Sequence, residues 1–167
     1  MEATVRRPGS LPTTSRDDSV HSMAVSGVVV KRLSSGEETE VRRFDEAFDE
    51  AVDGELAARF LADDRHHLVV AYVDGEPAGF VSATEILHPD KPTELFLNEL
   101  AVLPAYRRRG AATRLLEELK HLAKERGCVS IWVLTDEDNE AAVASYRKAG
   151  GEWDGATTVM FEIDLMR

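Results

Sequence analysis

The stretch ELFLNELAVLPAYRRRGAATRLLEELKHLAKER, residues 94–126, decides the fold of this chain. Its first part, residues 94–102, is mostly apolar and predicts a strand. The strand ends before Pro104, because proline has no N–H to donate to a sheet. After Gly110, apolar residues recur with the i, i+3, i+4 spacing of one buried helical face, namely Ala112, Leu115, Leu116, Leu119, Leu122 and Ala123. The order predicted is therefore strand, short loop and amphipathic helix.

The junction Arg107-Arg108-Arg109-Gly110-Ala111-Ala112 has the features of an anion-binding turn. The first N–H groups of a helix have no intrahelical acceptor, and the helix dipole is positive there. Small residues let a ligand approach the main chain, and arginines add donors and charge. Taken alone, the segment is more simply explained as a solvated basic turn. The preceding strand and the chain downstream favour a phosphate or pyrophosphate cradle instead.

Alternating strands and helices flank this centre. Asp74-Gly75 is a typical hairpin turn, and Asn139 can cap a helix over residues 140–149. Further strands are predicted at residues 28–33, 68–73, 76–87, 128–135, 152–154 and 157–165. The predicted class is α/β, with a mixed, mostly antiparallel central sheet of six to seven strands and helices on both faces.

Length and composition predict a single domain in a chain of 167 residues. Residues 1–26 are rich in Ser, Thr, Pro, Arg and Asp without periodicity, so they are expected to be a flexible extension of a domain at 27–167. No apolar run approaches the ~18 residues of a membrane span, and the start lacks the apolar core of a signal peptide. We therefore expect a cytoplasmic protein that does not interact with membranes.

The charge balance and the metal-binding residue types narrow the function further. Acidic residues number 31 against 20 basic ones, a formal charge of −11, which argues against a nucleic-acid binder. The single cysteine, Cys128, excludes an internal disulfide, and the five histidines show no metal spacing, so no metal is expected. An acidic protein attracts cations into its clefts, whereas the arginine turn supplies a local site for an anion.

The order of strand, Glu99-Leu100-Ala101-Val102, loop and Arg107-x-x-Gly110-x-Ala112 resembles the acetyl-CoA-binding core of the GNAT superfamily of N-acetyltransferases. A second block, NEAAVASYRKAG at residues 139–150, is similar to the superfamily's later helix with its tyrosine. The resemblance covers roughly residues 28–165. Within the superfamily, the chain is most similar to the type I aminoglycoside 3-N-acetyltransferases, through its acidic-Leu-Ala-Val motif, the acidic loop before the tyrosine helix and the ending VMFEID at residues 159–164.

The resemblance implies acetyl-CoA as co-substrate and assigns its binding residues. The pantetheine arm is expected to pair with the main chain of the central strand, and the pyrophosphate to lie on the turn. The backbone N–H of Val102 is the expected donor to the carbonyl oxygen as it becomes an oxyanion. The cofactor-binding residues implied are Leu100, Ala101, Val102, Arg107, Arg108, Arg109, Gly110, Ala111, Ala112, Thr113, Asn139 and Tyr146.

Glu99 is the candidate base, because an amine must lose its proton before it can attack a thioester. A carboxylate on a central apolar strand is costly unless it is paired or open to a cleft. It could take the proton directly, through a water, or simply hold the ammonium in position. The alternative is an outward-facing glutamate. Strand alternation places Leu97, Glu99 and Ala101 on one face, unless a bulge interrupts it.

Tyr146 is the candidate acid for the leaving thiolate, since a phenol with a pKa of ~10 stays protonated at neutral pH. Beside Ala142 and Val143 at helical spacing, it could instead be an ordinary core aromatic. Asn139 could bond the cofactor arm or only cap its helix.

Acidic side chains are the expected ligands of a cationic acceptor. The substrate-binding residues predicted, with Glu99, are Asp136, Asp138, Glu162 and Asp164. In the resembled superfamily, the two-helix region after the first strand walls the acceptor pocket, so its acidic residues could also line it, or could form a solvated face. These are Asp45, Glu46, Asp49, Glu50 and Asp53.

The function expected is acetyl transfer from acetyl-CoA to the 3-amine of an aminoglycoside. The alternatives are transfer to another amine (a polyamine, an amino acid or a protein N-terminus) and a non-catalytic acyl-CoA-binding module. A homodimer is possible by analogy with the family.

Overall fold

A computed structural model describes residues 27–153, 155–156, 160–161 and 163–165. Within these ranges, five strands form one sheet in chain order: β1 (Val28–Leu33), β2 (His66–Val73), β3 (Glu76–Ile86), β4 (Glu94–Val102) and β5 (Ile131–Trp132). β1 to β4 pair antiparallel, and β5 runs parallel to β4. The predicted mixed, mostly antiparallel sheet is confirmed. The expected N-terminal extension, residues 1–26, lies outside the described residues.

Helices cover both faces of the sheet, as predicted. α1 (Glu38–Val41) continues as a 3-10 helix (Arg42–Ala47), and α2 (Gly54–Ala62), α3 (Ala111–Glu125) and α4 (Glu140–Lys148) follow. On one face, the apolar stripe of α3 packs on the inner residues of β2, β3 and β4. On the other, the 3-10 helix packs its buried Phe44 against the sheet, and Phe48, just after it, stacks on Phe80 with ring centroids 4.0 Å apart. These contacts hold the 3-10 segment above β3.

The predicted count of six to seven strands exceeds the five found in the described residues. The apolar run at residues 128–135 gives only the two-residue β5, with Val129 and Leu134 exposed. β5 pairs with β4 only at Leu95 and Phe96, and within the described residues the pairing of these two strands ends there. Of the predicted strands at 152–154 and 157–165, residues 154, 157–159 and 162 lie outside the described part. The other residues of these two segments are exposed, and the sheet formed by the described residues does not include them.

A bulge in β4 changes which residues share a face. Ser82 of β3 pairs with Glu99, but the next residue, Ala83, pairs with Leu97, so Asn98 is the extra residue. Leu97 therefore packs on the α3 side, whereas Ala101 packs with the cluster on the α1 side. The predicted grouping of Leu97, Glu99 and Ala101 on one face is wrong, because the bulge shifts the alternation by one residue.

Candidate active site

A cleft of about 890 Å³ runs between the end of β4, the first turn of α3 and one side of α4. Its third wall is the end of the 3-10 helix that follows α1. The lining residues from β4 and the turn are Leu100, Ala101, Val102, Leu103, Pro104, Tyr106, Arg107, Arg108, Gly110, Ala111, Ala112 and Thr113. From α4 and the 3-10 helix come Asn139, Ala141, Ala142, Ala144, Ser145, Tyr146, Lys148, Glu46, Ala47 and Asp49. The cleft thus collects residues from four separate parts of the chain.

The floor of the cleft is a sheet edge with an open side. β4 continues to pair with β3 as far as Val102, but within the described chain its pairing with β5 ends at Phe96. The main chain of Leu100, Ala101 and Val102 therefore lines the cleft with one edge free of a strand partner. An extended ligand with amide groups could pair with such an edge as an added strand does.

Gly79 lets β3 approach this edge closely. A Cβ placed on Gly79 would lie 2.2 Å from the carbonyl oxygen of Ala101 and 2.9 Å from the Cα of Val102. Any other residue would have to push the cleft floor away, so the absence of a side chain at Gly79 sets the position of the Ala101–Val102 peptide.

The turn before α3 presents unpaired main-chain donors. Arg108 holds φ at 59° and Gly110 at 92°, both left-handed, and a left-handed conformation is uncommon for a residue with a side chain. The N–H of Arg114 is the first to find a helical acceptor, the carbonyl of Gly110 at 3.0 Å. The N–H groups of Ala111, Ala112 and Thr113 are left as the orphan donors of a helix start. Since all three residues line the cleft, this turn can hold an anion.

The three arginines of the turn have different surroundings. Arg107 donates its Nε–H to the carbonyl of Val102 at 3.1 Å, which ties the loop to the end of β4. Arg108 is exposed at the cleft wall. Arg109 instead forms an ion pair with Asp74 in the β2–β3 hairpin and lies over the Tyr106 ring. The structure therefore does not bring Arg109 into the cleft, because the distant hairpin supplies a carboxylate for it.

A lysine that the sequence analysis did not select takes part in the same wall. Lys148, the last residue of α4, lines the cleft and donates from Nζ to the hydroxyl of Thr113 at 3.2 Å. Its place in the NEAAVASYRKAG block, two residues after the predicted Tyr146, was the available signal.

Glu99 sits beside the cleft on the face that carries Ala101. Glu99 is an exposed residue and is not among those that line the cleft, whereas its neighbour Leu100 is. Partial burial and the negative charge of Asp49 both raise the pKa of the Glu99 carboxyl above its ordinary value. A carboxylate with a raised pKa is a stronger base, and the second carboxylate beside it favours a bound cation.

Tyr146 and Asn139 line the α4 side of the cleft. The Tyr146 ring is half-buried against the α3 core, and burial raises the pKa of its phenol, which keeps it protonated at neutral pH. The Asn139 side chain accepts from the N–H of Ala142 at 3.2 Å, so it caps α4 as predicted, while its position also leaves it in contact with the cleft.

The acidic wall of the cleft comes from the 3-10 helix and the residues just after it, rather than from the loop before α4. Glu46 and Asp49 line the cleft, whereas Asp136 and Asp138 are exposed outside it. Asp164 is also exposed and away from the lining, and Glu162 lies outside the described residues.

The other acidic residues of that region have structural contacts or face solvent. Asp45 accepts from the N–H of Val52, and Asp53 caps α2 through the N–H groups of Glu55 and Leu56. Glu50 is exposed outside the lining. In the sequence these acidic residues are equivalent, because only tertiary packing separates those that line the cleft from those that do not.

Within the described ranges there is no group of three or more His, Cys, Asp or Glu side chains that could hold a metal ion. Nor does that part of the chain contain a helix long and apolar enough to cross a membrane.

Solved structures of similar fold include aminoglycoside acetyltransferases. One, HMB0005 from an uncultured soil metagenomic sample, is 32% identical, with a TM-score of 0.70 over 83% of this chain and 98% of that one. An aminoglycoside antibiotic 6'-N-acetyltransferase from Acinetobacter baumannii has a TM-score of 0.68 over 83% of this chain and 99% of its own, but at 19% identity it shows the fold alone.

Among curated proteins, the spermidine N(1)-acetyltransferase of Escherichia coli is 29% identical over 67% of this chain and 60% of its own length. The chain spans no more than 62% of the length of the first curated relatives that it matches. The sequence model of the Acetyltransferase (GNAT) family matches residues 33–151, which is most of the domain described above. The matched residues include β4, the turn, α3 and the cleft around them. The chain therefore belongs to the GNAT family of acetyltransferases.

Proposed function

We propose that this chain transfers an acetyl group from acetyl-CoA to an amine of a small polycationic acceptor. The observation that carries the proposal is the charge arrangement of a single cleft. Arg107, Arg108 and the start of α3 lie at one wall, Glu46 and Asp49 at another, and the open edge of β4 lies between them. An anionic donor and a cationic acceptor could therefore meet over that edge.

The residues present fit the coenzyme. The orphan N–H groups of Ala111, Ala112 and Thr113 and the side chains of Arg107 and Arg108 would hold the pyrophosphate. The open edge at Leu100 to Val102 would bind the amide-containing arm through its main chain, with Asn139 opposite. When bound, acetyl-CoA supplies an activated thioester carbonyl.

Glu99 would prepare the amine for attack. Its raised pKa favours uptake of the proton from the acceptor ammonium, directly or through water, and the charge of Asp49 would help to hold that ammonium. In the overall reaction the amine nitrogen, which also gives up a second proton to solvent, forms a bond to the carbonyl carbon, and the carbon–sulfur bond breaks. The N–H of Val102 would stabilise the oxyanion between these two events.

Tyr146 would protonate the departing thiolate. The phenol proton goes to sulfur, and the phenolate recovers a proton from solvent after release of the products. Burial of the phenol, which raises its pKa, keeps the proton available at neutral pH until the thiolate forms.

An aminoglycoside is the acceptor that we favour, with its 3-amine as the acetylated position. The acceptor class is supported by the 32% identity to a solved aminoglycoside acetyltransferase over 98% of its length and by the carboxylates Glu46 and Asp49 in the cleft. The 3-amine rests on the sequence resemblance at Glu99-Leu100-Ala101-Val102 and at residues 159–164. A linear polyamine is the second candidate, supported by similarity to the spermidine enzyme.

The test is release of free thiol from acetyl-CoA with a panel of aminoglycosides, spermidine and a lysine peptide. We expect the fastest release with an aminoglycoside, and two-dimensional NMR of the product then identifies the acetylated amine. Glu99→Gln should lower turnover by about a hundredfold or more while coenzyme affinity is kept. Coenzyme binding without thiol release from any amine would refute the catalytic proposal and leave an acyl-CoA-binding module.

A further inference from the structure

Coenzyme A carries more negative charge, on its pyrophosphate and 3′-phosphate together, than the two arginines of the turn that line the cleft can neutralise. Because Arg109 is paired with Asp74, the cations that line the cleft within the described residues are Arg107, Arg108 and Lys148. Coenzyme A carries a pyrophosphate and a separate 3′-phosphate on its ribose. The arginines and the orphan N–H groups lie together on the turn, whereas Lys148 lies on the neighbouring α4.

The Lys148 ammonium is held in a defined place. One of its three N–H donors goes to the hydroxyl of Thr113, a residue of the first turn of α3, at 3.2 Å. This bond uses one donor of the ammonium, and Lys148 itself lines the cleft, so two donors are left for a ligand there. An ammonium fixed beside a helix start, but on a different wall from the arginines, is suited to a second phosphate near the first.

We propose that Lys148 binds the 3′-phosphate of the coenzyme and makes the chain discriminate coenzyme A from 3′-dephospho-coenzyme A. This assignment rests on the proposed function in that the cleft must bind the coenzyme. Lysine at the C-terminal end of a helix also interacts favourably with the helix dipole. A lysine with that role alone would leave coenzyme selectivity unchanged when it is replaced.

The experiment measures the dissociation constants of coenzyme A and 3′-dephospho-coenzyme A by calorimetry, with no acceptor present. We expect Lys148→Gln to raise the dissociation constant of coenzyme A by about fivefold, which is the effect of losing one solvent-accessible charge-assisted contact. Affinity for the dephospho form should stay within about twofold. Lys148→Arg, which retains the charge, should keep most of the selectivity.

Two variants serve as matched controls. Arg147→Gln removes the adjacent positive charge of α4 from outside the lining, and Lys120→Gln removes another lysine that joins α3 to α4, through the carbonyl of Ala149 at 2.8 Å. Both should keep the wild-type selectivity.

An unchanged selectivity ratio in Lys148→Gln, or equal weakening of both coenzymes, would overturn the assignment. Suppose that Lys148→Gln selectively loses affinity for coenzyme A, but that the wild-type protein releases no thiol with any amine. The role of Lys148 in binding the 3′-phosphate would then stand, and the proposed catalysis would be refuted. Wild-type protein that binds neither coenzyme would overturn both.

Discussion

Replacing Gly79 by alanine should impair catalysis in a protein that still folds. The added Cβ would lie 2.2 Å from the carbonyl oxygen of Ala101, whereas ordinary van der Waals contact begins at 3.4 Å, so β4 must retreat by about 1.2 Å at the floor of the cleft. Overpacking of this kind costs about 1–3 kcal/mol of unfolding free energy. A displacement of about 1 Å at a reacting centre can cost about a hundredfold in rate. We therefore expect kcat/KM for acetyl-CoA to fall by about that factor.

The assay is steady-state thiol release, combined with urea unfolding of the same preparations. Val69→Ala is the control, because Val69 is fully buried in β2 and its truncation should cost about 1–3 kcal/mol without touching β4. If Gly79→Ala is folded and retains kcat/KM within about threefold of wild type, the main chain at Ala101 and Val102 does not position the thioester and the reasoning is wrong.

Further predictions concern the ionisable groups. Asp49→Asn removes one of the causes that raise the Glu99 pKa, so the acidic limb of the kcat/KM profile for the amine should move to lower pH; Glu50→Gln, an exposed change outside the cleft, should leave the limb in place. Tyr146→Phe should slow single-turnover acetyl transfer by about tenfold or more at unchanged coenzyme affinity, and full activity would reduce Tyr146 to a packing residue. Burial lowers the pKa of His67 below 6.5, although its hydrogen bond to Glu85 opposes this. The folded state then binds fewer protons than the unfolded chain, so the free energy of unfolding should fall as the pH drops through 6.5. His67→Gln should flatten that fall in urea titrations, whereas replacement of the exposed His121 should preserve it.

Local patterns were sufficient for the centre of the fold. The bounds predicted for β4 match those observed, and α3 begins directly after Gly110, because apolar spacing, Pro104 and Gly110 act within a few residues of one another. The Asp74-Gly75 turn has positive φ at both residues, 55° and 87°, as a tight hairpin requires. Periodicity could not place β5, because its length depends on how far β4 remains within pairing distance.

The composition of the cleft depended on contacts between distant segments. The bulge at Asn98 follows from the register of two strands, and it separates Leu97 from the face that carries Glu99 and Ala101. Arg109 leaves the cleft because Asp74, 35 residues away in the chain, comes within reach of it. Glu46 and Asp49 enter it because Phe44 and Phe48 anchor their segment to the sheet. Short-range spacing specifies helices, strands and the turn before α3, whereas packing across the sheet determines which side chains share a cleft, and no local pattern encodes that packing.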